Sequence, residues 1–90
     1  MSERMLKYQV SSDTSRQVAV LMREGATIRA VGVQGHAIYV WAETPVQADP
    51  LTITRTFRVV ATGDDLPGVG NYIGTVFEGP YVWHIYEVPS

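Results

Sequence analysis

Apolar and polar positions alternate with a period of two over short runs, and turn-forming clusters separate the runs, which predicts strands rather than helices. The first strand is Met5 to Val10, with Met5, Lys7 and Gln9 on one side and Leu6, Tyr8 and Val10 on the other. The cluster Ser11 to Ser15 (SSDTS) ends it, because such side chains bond their own backbone and favour turns. Gln17 to Met22 reads as a second strand or one turn of helix, and its valines lean to strand. Thr27 to Val33 and His36 to Ala42 are β-branched, aromatic-containing runs around Gln34-Gly35; a two-residue loop with glycine second predicts a hairpin with a type I′ turn. Within it Ala37, Tyr39 and Trp41 share one face, and His36, Ile38, Val40 and Ala42 the other.

Glu43 to Pro50, with two prolines, is expected to loop between sheets. Leu51 to Ala61 alternates well, with Ile53, Arg55, Phe57 and Val59 on one face and a threonine row with Arg58 and Val60 on the other. Arg55 stands awkwardly among apolar neighbours unless it lies near the strand's open end or a bulge shifts the register. A glycine-rich loop, Thr62 to Asn71, leads to a strand Tyr72 to Phe77. Inside that strand Gly74 suggests a bulge or the close approach of another backbone. Glu78-Gly79-Pro80 is the last turn and Tyr81 to Val88 the last strand. About seven short strands without a convincing helix predict an all-β fold, a small antiparallel sandwich or partly open barrel, as a single domain over residues 1–90.

Composition sharpens this. A 90-residue chain buries only about 60–65% of the surface its unfolded form exposes, so its core is expected to be thin. At 46% hydrophobic and 18% charged residues, the chain is more apolar than an average soluble domain, which suggests a surface kept for a partner or for a symmetry mate in a homo-oligomer. A formal charge of -2 argues against general nucleic-acid binding. The absence of cysteine removes disulfides, thiolate metal sites and cysteine nucleophiles, and favours a cytoplasmic setting. No run is long and apolar enough for a signal peptide or a membrane span.

Candidate chemistry is sparse. Gly63, Gly68 and Gly70 suggest a phosphate cradle, but no Lys-Ser or Lys-Thr and no helix follows, and Asp64 and Asp65 would repel an anion. His36 and His84 lack the short spacing of a zinc site; a half-buried histidine bonded to a carbonyl is the plainer reading. No serine sits in a nucleophile elbow and no carboxylate pair is marked for hydrolysis, so no enzyme, metal or cofactor is expected. An enzyme using His84 with Asp64 or Asp65 is the weakest of three classes. What is left is an aromatic and arginine set: Tyr39, Trp41, Tyr81, Trp83 and Tyr86 concentrate in two strands, and Arg55 and Arg58 lie in a third. Such groups stack bases and fork phosphates, although large aromatics in small β domains are commonly core.

Three phrases, FRVVATGDDLP, NYIGTVFEGPYVWHIYE and the AxIRAVGVQ…IYVWA hairpin, resemble a family of short uncharacterised proteins of phages, prophages and bacteria. The resemblance runs from about Gln17 to Glu87 and rests on Phe57, Arg58, Val59, Thr62, Gly63, Tyr72, Ile73, Gly74, Thr75, Val82, Trp83, His84 and Glu87. Ala61 stands where the family pattern tends to have glycine. The resemblance brings no established activity and implies a phage or prophage context. By analogy with other small phage domains, the leading expectation is a non-enzymatic, homo-oligomeric protein that sequesters a small anionic, nucleotide-derived host immune signal. Arg55, Arg58, Tyr81, Trp83, His84 and Tyr86 would bind it. The alternative is a protein–protein interaction module, either an inhibitor of a host defence enzyme or a minor virion or assembly component.

Overall fold

In the computed structural model, which describes residues 2–90, the chain forms seven strands and, among those residues, no helix. They are β1 (Glu3–Gln9), β2 (Gln17–Arg23), β3 (Thr27–Gln34), β4 (Ala37–Pro45), β5 (Thr52–Ala61), β6 (Asn71–Glu78) and β7 (Tyr81–Val88). All paired strands are antiparallel and make two sheets, β1-β4-β3 and β2-β5-β7-β6. The sheets pack as an open sandwich, not a closed barrel: β3 lies against β6, whereas β1 and β2 barely touch.

Alternation assigns the inner faces. Ile38, Val40, Ala42 and Thr44 of β4 are buried against Phe57 and Val59 of β5, Val76 of β6 and Ile85 of β7, with Val10, Met22 and Ala26 completing the core. Phe57 is fully enclosed and, at about 1.5–3 kcal/mol for a side chain of this kind, is a major contributor to a small core.

Three local expectations shift. Glu43, Thr44 and Pro45, expected to open the loop that ends at Pro50, instead extend β4, because they pair with Met5, Arg4 and Glu3 of β1. In the β3–β4 hairpin Gln34 pairs with Ala37, so the turn is Gly35-His36 rather than Gln34-Gly35. Gly35 has φ of +63° and His36 a negative φ, the pattern of a type II′ turn, with glycine first, instead of type I′. His36 therefore leaves the strand, and its side chain is 99% exposed. In β6 Gly74 marks a bulge, the first of its two suggested roles, and it also has a close neighbour across the sandwich. The register slips between Tyr72 and Gly74, and a Cβ on Gly74 would lie 2.5 Å from Cγ1 of Val31, on β3 of the other sheet. The close neighbour is a side chain, not a backbone.

One connection shapes the outside of the larger sheet. β7 lies between β5 and β6, so β5 and β6 run parallel and residues 62–70 must carry the chain back along the sheet. They start at Ala61, opposite Trp83, and end at Asn71, opposite Glu87. The loop follows the outer face: Asp64 and Asp65 share a depression with Arg58 and Val60, and Pro67 to Val69 share one with Arg58 and Val88. Outward-pointing Val60 is consequently buried.

Candidate functional site

The pairing of β5, β7 and β6 divides the sequence-predicted set in two. Arg58, Tyr86 and Tyr72 stand in one cross-strand row, and Val60, His84 and Thr75 in the next, all on the outer face of the four-stranded sheet. Arg55, Trp83 and Glu87 belong to the inner side. Of the six candidates, the fold brings together Arg58, His84 and Tyr86, and holds Arg55, Trp83 and Tyr81 apart from them.

Arg55 is occupied. Its Nε and one Nη donate to the two carboxylate oxygens of Glu87 at 2.7 Å each, and the other Nη donates to the Ala26 carbonyl at 2.8 Å. The side chains are 18% and 22% exposed. The hydrogen bonds that Arg55 donates to Glu87 raise the Arg55 pKa above the ordinary arginine value, against the opposing effect of burial. A forked pair at the end of the sandwich is what lets an arginine share a face with Phe57 and Val59, and no bulge is needed.

Trp83 and Tyr81 lie at the other end. The Trp83 ring stacks on Tyr81, with centroids 5.7 Å apart and planes at 20°, and carries the Arg16 guanidinium 4.8 Å from its centroid. Its indole N–H donates to Glu78 at 3.1 Å, and the second Glu78 oxygen lies 3.6 Å from His36 Nδ1. Trp83, Arg16, Glu78 and His36, but not Tyr81, line a cleft of about 110 Å³ together with Ile38 and Val59, smaller than the roughly 300–1,000 Å³ of a typical ligand pocket.

The centre of the outer face is His84. Its Nδ1 shares a hydrogen bond with Thr75 Oγ1 at 2.9 Å, its Nε2 another with Thr62 Oγ1 at 2.9 Å, and Thr75 Oγ1 is bonded in turn to the Tyr72 hydroxyl. Hydroxyls both donate and accept, so the chain Tyr72–Thr75–His84–Thr62 is satisfied with either imidazole tautomer. It holds the ring in place and ties the start of the crossover loop to β7. Asp64 and Asp65 are not partners of His84; Asp64 pairs loosely with Arg16 at 3.6 Å. Beside the chain, the rings of Tyr72 and Tyr86 meet edge to face with centroids 5.5 Å apart, and exposed Phe77 stands next to Val82.

Thr62, Tyr72 and Thr75 were missed as site residues, although each stands in the T-G or Y-I-G-T phrase and His84 in V-W-H. The bulge explains why. Strict alternation separates Tyr72 from Thr75 and Phe77, whereas the slip at Tyr72/Gly74 turns all three to the same face. Among the described residues, Arg58 has no hydrogen-bond or carboxylate partner, and no three His, Asp or Glu side chains gather to hold a metal. No helix is long and apolar enough to cross a membrane.

No curated protein and no solved structure matches the chain. A family model does match, over residues 1–90, and the protein belongs to that family, a domain of unknown function (DUF7352).

Proposed function

We propose that the protein is a non-catalytic binding module that takes a protein partner on the outer face of β6 and β7. The observation that carries this reading is a patch of aromatic and apolar side chains along the free edge of the larger sheet: Tyr72 and Phe77 are exposed, and Val82 and Tyr86 adjoin them. Single apolar side chains are ordinary on a surface, but exposed aromatic side chains gathered on one face, here on either side of the Thr75–His84 row, are characteristic of contact surfaces. The His84 chain supports the same reading. It fixes the middle of the patch, and with both imidazole nitrogens held by threonine hydroxyls it has no carboxylate to stabilise an imidazolium during turnover.

The test is retention of a partner from a lysate of the cell in which the protein is made, on immobilised wild type, Phe77→Glu and Leu21→Glu. Leu21 is also exposed but stands on β2, away from the patch. A protein held by wild type and by Leu21→Glu but not by Phe77→Glu supports the proposal. Equal retention by all three, or no retained protein, ends it. A second copy of the chain counts as such a partner, and native mass spectrometry reads it directly.

A second reading, capture of a small anion such as a cyclic nucleotide in a cytoplasmic setting, is favoured by the unpartnered Arg58 beside Tyr86. It comes second because Arg58 and Arg16 share their depression with Asp64 and Asp65, two cations against two anions. A ligand at 100 times its Kd adds about 2.7 kcal/mol of stability. A thermal-shift panel of cyclic nucleotides with no response from any member removes this reading.

A further inference from the structure

The outer face of the β1-β4-β3 sheet carries different chemistry from the patch on β6 and β7. At its centre is Trp41, whose cross-strand neighbour on β3 is Ala30; its companion Tyr39 faces Gly32. A Cβ on Gly32 would lie 3.5 Å from Cζ3 and 3.8 Å from Cη2 of Trp41, so the six-membered ring rests over the β3 backbone. No other strand packs on this face. Tyr39 is covered: Lys7 Nζ sits 4.5 Å from its ring centroid and donates to Gln34 Oε1 at 2.8 Å, which straps β1 to β3. Trp41, half-buried and tilted against Tyr39 with ring centroids 6.3 Å apart, carries no such cation.

Hydrogen-bonding groups with capacity to spare share this face, Lys7 opposite Trp41, Gln9 opposite Tyr39 and Gln34 opposite Ala37. Gln9 spends its amide N–H on the Ser11 carbonyl at 2.9 Å and keeps Oε1 as an acceptor. Gln34 accepts from Lys7 and keeps its N–H donors, and Lys7 keeps two of its own. The charges cancel: Glu3 and Glu43 against Lys7 and Arg29, the last bonded to Glu43 at 3.3 Å.

We propose that Trp41 is a stacking platform for a neutral sugar ring, with Lys7, Gln9 and Gln34 hydrogen-bonding its hydroxyls. A pyranose presents one apolar C–H face and a rim of groups that both donate and accept, and it asks for a flat aromatic surface bordered by amides. Stacking alone would also suit a nucleobase, but a nucleotide needs cationic surplus for its phosphates, and this face has none. A protein partner would need exposed apolar area, and among large apolar side chains only Met5 is exposed here.

The test is a proton–nitrogen NMR titration of the intact protein with cellotetraose, maltotetraose, xylotetraose and chitotetraose at millimolar concentration, with adenosine as comparison. The two tryptophan indoles give separate signals, assigned with Trp41→Phe. A saturable shift of the Trp41 indole and of the Gly32 and Ala30 amides is expected with at least one sugar. Trp41→Ala and Gln34→Ala should weaken binding by about tenfold or more, roughly 1.4 kcal/mol, and Trp41→Phe less, since it keeps a ring. Leu21→Ala, on the other sheet, should bind as wild type. No shift with any of the four sugars, shifts at Trp83 instead, equal shifts in Trp41→Ala, or a response to adenosine alone would overturn the proposal.

Discussion

Arg55 carries three hydrogen bonds on a mostly buried guanidinium, and a buried charge that loses its partner is costly. Glu87→Leu and Arg55→Met are each expected to destabilise by about 2–3 kcal/mol, under the roughly 3–5 of a fully enclosed pair because both side chains touch water. The double replacement Arg55→Met with Glu87→Leu should cost less than the sum, since neither charge is then stranded; urea unfolding of the four proteins measures this coupling. The pH sign follows from the raised Arg55 pKa. A raised pKa gives stability that is fully present below the ordinary, strongly basic arginine value of the unfolded chain and lost only as pH climbs through the folded one, so this contribution is constant across the neutral range. Thr44 is the opposite case. Its hydroxyl is buried without a hydrogen-bond partner among the described residues, so Thr44→Val should raise stability by up to about 1 kcal/mol, read as a higher Tm.

At the scale of elements, β6 decides the most. A Cβ on Gly74 would meet Val31 at 2.5 Å across the two sheets, so Gly74→Ala is expected to cost about 1–3 kcal/mol. Val31→Ala in the same chain should recover part of it, because the clash is with that one side chain; paired thermal melts of the single and double variants check this. The crossover loop depends on the same strand through Thr75 and His84. His84→Ala should loosen residues 62–70, and the amide of Asp64, bonded to the Ala61 carbonyl at 3.1 Å, should exchange about tenfold faster, roughly 1.4 kcal/mol. The alternation that revealed seven strands works because one face of each strand is buried, and this made β4 and β5 readable almost residue by residue. It slipped at Gln34 to His36, where all three residues are exposed and burial gives no contrast. It also could not place Thr75 beside His84, because a bulge inverts every side chain beyond it and nothing in YIGTVF fixes where the inversion falls. The inward Arg55 was legible as a conflict; its resolution needed Glu87, 32 residues away.

The molecule as a whole is extended for its length, with a radius of gyration of 13.4 Å against about 12 Å expected for 90 residues. Two sheets of three and four strands enclose a narrow core and leave broad outer faces, so the residues that hold the fold and those that meet a partner are separable by substitution. The two phenylalanines make the clearest pair. Phe57 is fully buried and Phe77 is 73% exposed. Phe57→Ala should cost about 3–5 kcal/mol, a large share of the roughly 5–13 kcal/mol available to a chain of this size, and the thin core puts the protein at the low end of that range. Phe77→Glu should change stability by no more than about 0.5 kcal/mol, as surface substitutions ordinarily do, while removing apolar area from the β6–β7 face. Urea unfolding separates the two effects: the Phe57→Ala midpoint should fall sharply while that of Phe77→Glu stays at the wild-type value. A Phe77→Glu protein as unstable as Phe57→Ala would mean that the β6–β7 face belongs to the core of the fold, and any loss of partner binding by that variant would then report unfolding instead of contact.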